Sequence, residues 1–157
     1  MKNGWWAQTV TVGYEYAKNR RTLGETESVG FEIGVQRTLP VSQTKAWELV
    51  TSPQGMGVWL GEISGLKFEP GEKFETRECT KGEIRTVDKG TKLRLVWQPP
   101  FLKKPSTLQI YLLCSRNTPN KTNFRFHQEK LSSSAEREKM RRHWQQVLTK
   151  LSKLLNP

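Results

Sequence analysis

The sequence predicts an α+β fold, a curved antiparallel sheet wrapped around one long C-terminal helix, with two short helices after the first strand. Three observations carry this expectation. Met140, Trp144, Val147, Leu148, Leu151, Leu154 and Leu155 recur in steps of three and four, which places them on one helical face. Ahead of them, short runs such as Leu93-Leu95-Trp97 and Leu108-Ile110-Leu112 alternate with polar residues, the period of half-buried strands. Two helix starts, Ser42 and Ser52-Pro53, follow the first strand in place of the crossover that a parallel sheet needs.

Along the chain, residues 4–18 fit two patterns. Trp5, Thr9, Val12 and Tyr16 share a helical face, while Thr9 to Val12 also suits a strand; helix is the preferred reading. Asn19 to Gly30 is polar, holds two glycines and reads as a linker. Phe31, Ile33, Val35 and Leu39 form a first strand that Pro40 ends. Ser42 caps a helix carrying Ala46, Trp47, Leu49 and Val50. Pro53 stands at the first position of the next helix, where its missing N–H is harmless; Met56, Trp59 and Leu60 follow.

A meander comes next. Leu66 and Phe68 lead into a turn at Pro70-Gly71, and Phe74 and Thr76 lead on to a strand from Gly82 to Val87. Asp88-Lys89-Gly90 makes a hairpin turn. Pro99 to Pro105 breaks the pattern, Leu108 to Cys114 resumes it, and Asn117 to Asn120 turns into the last strand. There Phe124 and Phe126 face one way and Arg125 and His127 the other. About five to seven strands are expected in all. Ser133 and Glu136 form a capping box for the final helix, which from Ala135 to Leu155 would run roughly 30 Å. Two segments result: an N-terminal helical piece with linker, 1–29, and a domain, 30–157.

Composition excludes several classes. No apolar run reaches the ~18 residues that span a bilayer. The N-terminus has no apolar core of a signal peptide, and Cys79 and Cys114 do not suffice for a disulfide framework; a reduced cytoplasmic setting is expected. The net charge of +11 is spread along the chain. Its densest group, Arg137 to Arg142, is interleaved with Glu136 and Glu138 and reads as a solvated helix face. Zinc-finger spacing, a helix-turn-helix and the aromatic RNA-binding signature are all missing, so nucleic acid is not an expected partner.

The ordered set of Trp47, Trp59-Leu60, Pro70-Gly71, Gly82-Glu83-Ile84, Val87-Asp88, Leu93 to Trp97, Thr122, His127-Gln128-Glu129, Trp144 and Leu148 resembles the activator of heat-shock-protein-90 ATPase homologue (AHSA-like) family. That family belongs to the START-like, birch-allergen-like group called SRPBCC. The likeness spans about residues 30–155 and implies a helix-grip fold. The family usually has Gly soon after the His-x-Glu tract, where this chain has Lys130. Residues 4–15 resemble the end of a small helical domain found ahead of this fold in some longer relatives. Its apolar Trp5, Trp6 and Tyr16 are expected to pack on the domain or on a second copy, as in a homodimer.

The chemistry points to binding. Zinc needs three or four converging ligands, and His127, His143, Glu129 and Cys114 give no such set, so no metal or cofactor is expected. Nucleophile elbow, P-loop and dinucleotide fingerprint are absent, and no catalytic residue is assigned. The aromatic load is high, and Trp59, Trp97, Trp144, Phe68 and Phe126 all fall on inward faces. A cavity between helix and sheet is expected, lined by Met56, Trp59, Phe68, Trp97, Ile110, Phe126, Met140 and Trp144 and holding a small hydrophobic molecule, a lipid or planar aromatic. Two alternatives stay open: a chaperone-interacting domain, as the resemblance implies, and an enzyme of the cyclase or hydrolase type.

Overall fold

A computed structural model describes residues 25–26 and 30–155. The helix expected over 4–18 and its dimer contact lie outside the described residues. The segment read as linker contributes a two-residue strand, β1 (Glu25–Thr26). It is followed by β2 (Gly30–Leu39), α1 (Gln43–Thr51) and α2 (Pro53–Trp59). The meander comprises β3 (Lys73–Glu75), β4 (Lys81–Asp88), β5 (Lys92–Gln98), β6 (Ser106–Leu113) and β7 (Thr122–Leu131), and α3 (Ser134–Leu155) closes the chain. The sheet has seven strands in the order β1-β2-β7-β6-β5-β4-β3, every neighbouring pair antiparallel. The fold is therefore the α+β helix-grip arrangement that the sequence predicts.

Local chemistry sets the helix boundaries. Ser42 Oγ accepts from the Lys45 N–H, and Ser52 Oγ accepts from the Gly55 N–H with Pro53 at the first turn, so both short helices start on side-chain caps. At the head of α3 the Glu136 N–H donates to Ser133 Oγ (3.1 Å), and the Glu136 carboxylate reaches back to the Ser132 N–H (2.7 Å). This satisfies donors that a helix start otherwise leaves orphaned.

Alternation then builds the core. Leu93 on β5, Ile110 on β6 and Phe126 on β7 lie side by side, as do Leu95, Leu108 and Gln128 in the next row. All six are buried, and α3 lays Met140, Trp144, Val147, Leu148 and Leu151 against this face. Leu154 departs from the expected stripe: at 38% exposure it faces solvent near the helix end.

Two details of the meander have local causes. Leu66 and Phe68, which lead into the Pro70-Gly71 turn, lie outside the strands. Gly65 and Gly71 both take positive φ (74° and 92°), and Pro70 has no N–H to give a ladder, so pairing begins only at Lys73. Cys114 lies just past β6, with its thiol against the Thr118 and Pro119 carbonyls in the following turn.

Lys130 stands where the family usually has glycine, and its φ is +68°. A side chain there costs roughly 1–2 kcal/mol that glycine would not. Lys130 lies in a bulge of β7, where Glu129 and Lys130 together face the single residue Glu32, and Gly30, also left-handed at +73°, has the Leu131 carbonyl 2.8 Å from where a Cβ would sit. The β2–β7 pair thus closes through a bulge with two left-handed residues.

Candidate ligand site between the helix and the sheet

Four rings meet where α3 crosses β5–β7. Phe126 stacks on Trp144 with centroids 5.1 Å apart, Trp97 leans on Trp144 at 5.0 Å, and His143 stands edge-on to Trp144 at 4.6 Å. Such offset and edge contacts add to area burial. Seven of the eight residues expected to line the cavity are buried in one hydrophobic cluster; Phe68, on the loop before β3, is half-buried and packs on its edge. The two surface cavities that stand out, about 380 Å³ each, lie elsewhere. One is lined by Thr38, Leu113, Cys114 and Lys121, the other by Pro40, Val41, Lys45 and Leu155, and none of the eight residues lines either.

A polar relay runs through the cluster. The Trp144 indole N–H donates to Gln128 Oε1 (2.7 Å), Gln128 Nε2 donates to Ser106 Oγ (2.9 Å), and the Ser106 hydroxyl donates to the Trp97 carbonyl (2.6 Å). Gln128 and Ser106 are wholly buried, so this chain ties α3 to β7, β6 and β5 without an orphaned group of its own. Sequence reasoning passed over both residues. The available signal was parity: Gln128 shares the inward alternation of Phe124 and Phe126, and Ser106 that of Leu108 and Ile110.

The indoles differ in one respect. Of the three wholly buried tryptophans among the described residues, Trp59 donates to the Val50 carbonyl (2.9 Å) and Trp144 to Gln128. The Trp97 indole N–H is buried with no partner, and so is Nε2 of neighbouring His143, whose ring lies 6.0 Å from that of Trp97. Above them the loop 99–105 folds back on α3. Leu102 is buried, Gln98 Nε2 holds its carbonyl (3.1 Å), and Lys139 Nζ sits 4.1 Å over the Phe101 ring. Lys139 lies one turn before His143, so this loop touches α3 one turn from the His143 end of the cluster.

Two polar side chains pack against aromatic rings. His143 joins the cluster, edge-on to Trp144. Arg137, read as part of a solvated face, tucks its guanidinium over Phe31 (5.7 Å), as a long cationic stem can when its aliphatic part finds apolar surface.

Burial, with smaller contributions from Lys150 and Lys139, depresses the His143 pKa below 6.5. The unfolded chain therefore takes up a proton on this residue at a higher pH than the folded one. Stability is complete above the unfolded value and falls as pH drops through 6.5 toward the lowered folded value. Melting temperatures measured from pH 8 to 5 are expected to decline in the wild type and to decline less in His143→Phe. Identical slopes would show that His143 titrates freely.

Residues 40–156, well over half of the chain, match the family described as Activator of Hsp90 ATPase homolog 1-like protein. The chain belongs to that family. Solved structures agree with the architecture. An HSP90 activator from Plasmodium falciparum superposes with a TM-score of 0.66 at 16% identity, covering 80% of this chain and 96% of that one. CalU16 from Micromonospora echinospora gives 0.68 at 17% identity, covering 81% and 76%. DynU16, from the dynemicin biosynthetic locus, gives 0.69 at 16% identity over 79% of this chain; the match spans 46% of that longer protein. Among curated proteins the sequence finds no match. These likenesses establish the fold, and the family supports either a ligand-binding or an Hsp90-activator-like domain. Among the described residues, no helix is long and apolar enough to cross a membrane.

Proposed function

We propose that this domain binds a small, largely apolar molecule, a lipid or planar aromatic, between α3 and strands β5–β7. One observation carries the reading: the Trp97 indole N–H, buried at 2% exposure, has no acceptor while the other two buried indoles do. An orphaned buried donor costs about 1–3 kcal/mol, which a ligand carbonyl or hydroxyl would relieve. His143 Nε2 beside it offers a second polar contact, and the aromatic rings supply flat apolar walls. The rings pack on one another, so entry requires the Phe101–Leu102 loop to lift and Trp97 to shift. Met56 and Met140 would adapt to ligands of different outline. The eight cavity residues named above are the proposed lining.

The test is a tryptophan-fluorescence titration of the full chain with medium-chain fatty acids and planar aromatic ketones. Saturable quenching and a raised melting temperature are expected in the wild type. Trp97→Phe keeps the bulk, removes the N–H and should weaken binding about tenfold, the equivalent of one hydrogen bond. Ile110→Trp, which adds bulk where the rings pack, should abolish it. No saturable quenching by any probe, with a Trp97→Phe variant at least as stable as wild type, would mean that the N–H serves no ligand. The chaperone-interaction reading, which the family name supports, would then lead.

A further inference from the structure

We propose that the outer face of the sheet carries a site for one divalent cation of the zinc class, held by Glu32, His127 and Glu129. It lies on the opposite side of β7 from the aromatic cluster and stands independently of the ligand reading. Phe126 and Gln128 point inward, so His127 and Glu129, alternating with them, share the outer face two residues apart on β7. Glu32 comes from the neighbouring strand. It stands opposite Glu129 and Lys130, where a bulge gives β7 one extra residue between Gln128 and Leu131.

The convergence is tight. His127 Nε2 is 3.0 Å from Glu32 Oε1, and Nδ1 is 3.8 Å from Glu129 Oε2. One donor atom from each residue lies within 4.8 Å of the other two. Zinc bonds of about 2.0–2.2 Å put tetrahedral donors roughly 3.3 Å apart. One ion takes only one ring nitrogen, so one of the two glutamates must turn from the nitrogen it faces toward the other. An imidazole with two carboxylates suits zinc or a similar first-row ion better than calcium or magnesium, which prefer all-oxygen shells. Water would complete the coordination.

Charge makes the arrangement unusual. The chain has 26 Lys and Arg, yet among the described residues neither Glu32 nor Glu129 has one as an ion-pair partner. Both carboxylates aim at one imidazole instead. The three side chains are only 20–26% exposed, so the donors are partly shielded from water. Gln109 Nε2 lies 3.5 Å from His127 Nδ1, and Gln109 is fixed in turn by the Tyr111 hydroxyl, which donates to its Oε1 (2.7 Å).

The experiment is calorimetric titration of the full chain with ZnCl2, paired with Co2+ absorption spectroscopy. One ion per chain is expected, with visible d–d bands and no thiolate charge-transfer band. His127→Ala should abolish binding. Glu32→Gln and Glu129→Gln should each weaken it by more than the roughly 10–100-fold that losing an outer partner costs. Cys79→Ser with Cys114→Ser should leave it unchanged. Melts monitored by tryptophan fluorescence show whether each variant is folded; if His127→Ala is not, the two glutamine variants decide. Absence of saturable binding overturns the proposal, as does stoichiometric binding that survives loss of His127 or of both carboxylates, or that disappears with the cysteines.

Discussion

Trp144→Ala is expected to cost about 4–5 kcal/mol, the upper end of the range for a buried large aromatic. Two losses combine. The indole fills the junction of Phe126, Trp97 and His143, so its removal leaves a void lined by rings. It also strips the donor from Gln128 Oε1, a fully buried acceptor with no water to turn to. Trp144→Phe separates the two, keeping most of the volume and losing the N–H, and should cost about 1–3 kcal/mol. Both values follow from denaturant melts. A loss below about 1 kcal/mol for the alanine variant would show that the helix–sheet junction does not depend on this side chain.

Gly82→Ala should be comparably damaging, at or above the ~3 kcal/mol typical of overpacking. Here the constraint is space. On β4, Gly82 pairs with Phe74 of β3 on one side and Trp97 of β5 on the other. A Cβ would collide with the Val96 carbonyl oxygen and with the Phe74 ring, which lies over the glycine. The ring can turn; the carbonyl belongs to the β4–β5 ladder and cannot move without opening it. The strain would fall beside Trp97, so emission of the variant should change even where it remains folded. A cost under about 1 kcal/mol in urea melts would mean that the β3–β4 hairpin swings aside freely.

Most of the architecture was legible because it rests on periodicity and punctuation. The α3 stripe from Met140 to Leu151, the Ser42 and Ser52 caps and the Asp88-Lys89-Gly90 turn are local patterns, and local patterns survive folding. The failures come from information that is not local. Leu66 and Phe68 alternate like a strand, but the positive φ at Gly65 and Gly71 removes them from the ladder. Leu154 fits the helical stripe by spacing, yet it is exposed while Leu155 beside it packs on the core. In the candidate site, aromatic positions on inward faces were readable one by one. What could not be read is which indole finds an acceptor. That depends on Gln128 meeting Ser106 across a strand pair and on Trp97 finding nothing. Glu32 escaped notice for a similar reason: only the pairing of β2 with β7 brings it beside His127, and no spacing along the chain records that.

The strands at the two borders of the sheet are very short. β1 has two residues, and β3 has three, Lys73-Phe74-Glu75, with a charge at each end. Neither offers the row of open N–H and C=O groups on which another chain could template itself. A strand added to β1 or β3 would therefore gain only two or three residues of ladder. A protein partner met instead by side chains, on the helices, the loops or the broad outer face, would respond to changes of surface chemistry there that leave the backbone ladder untouched.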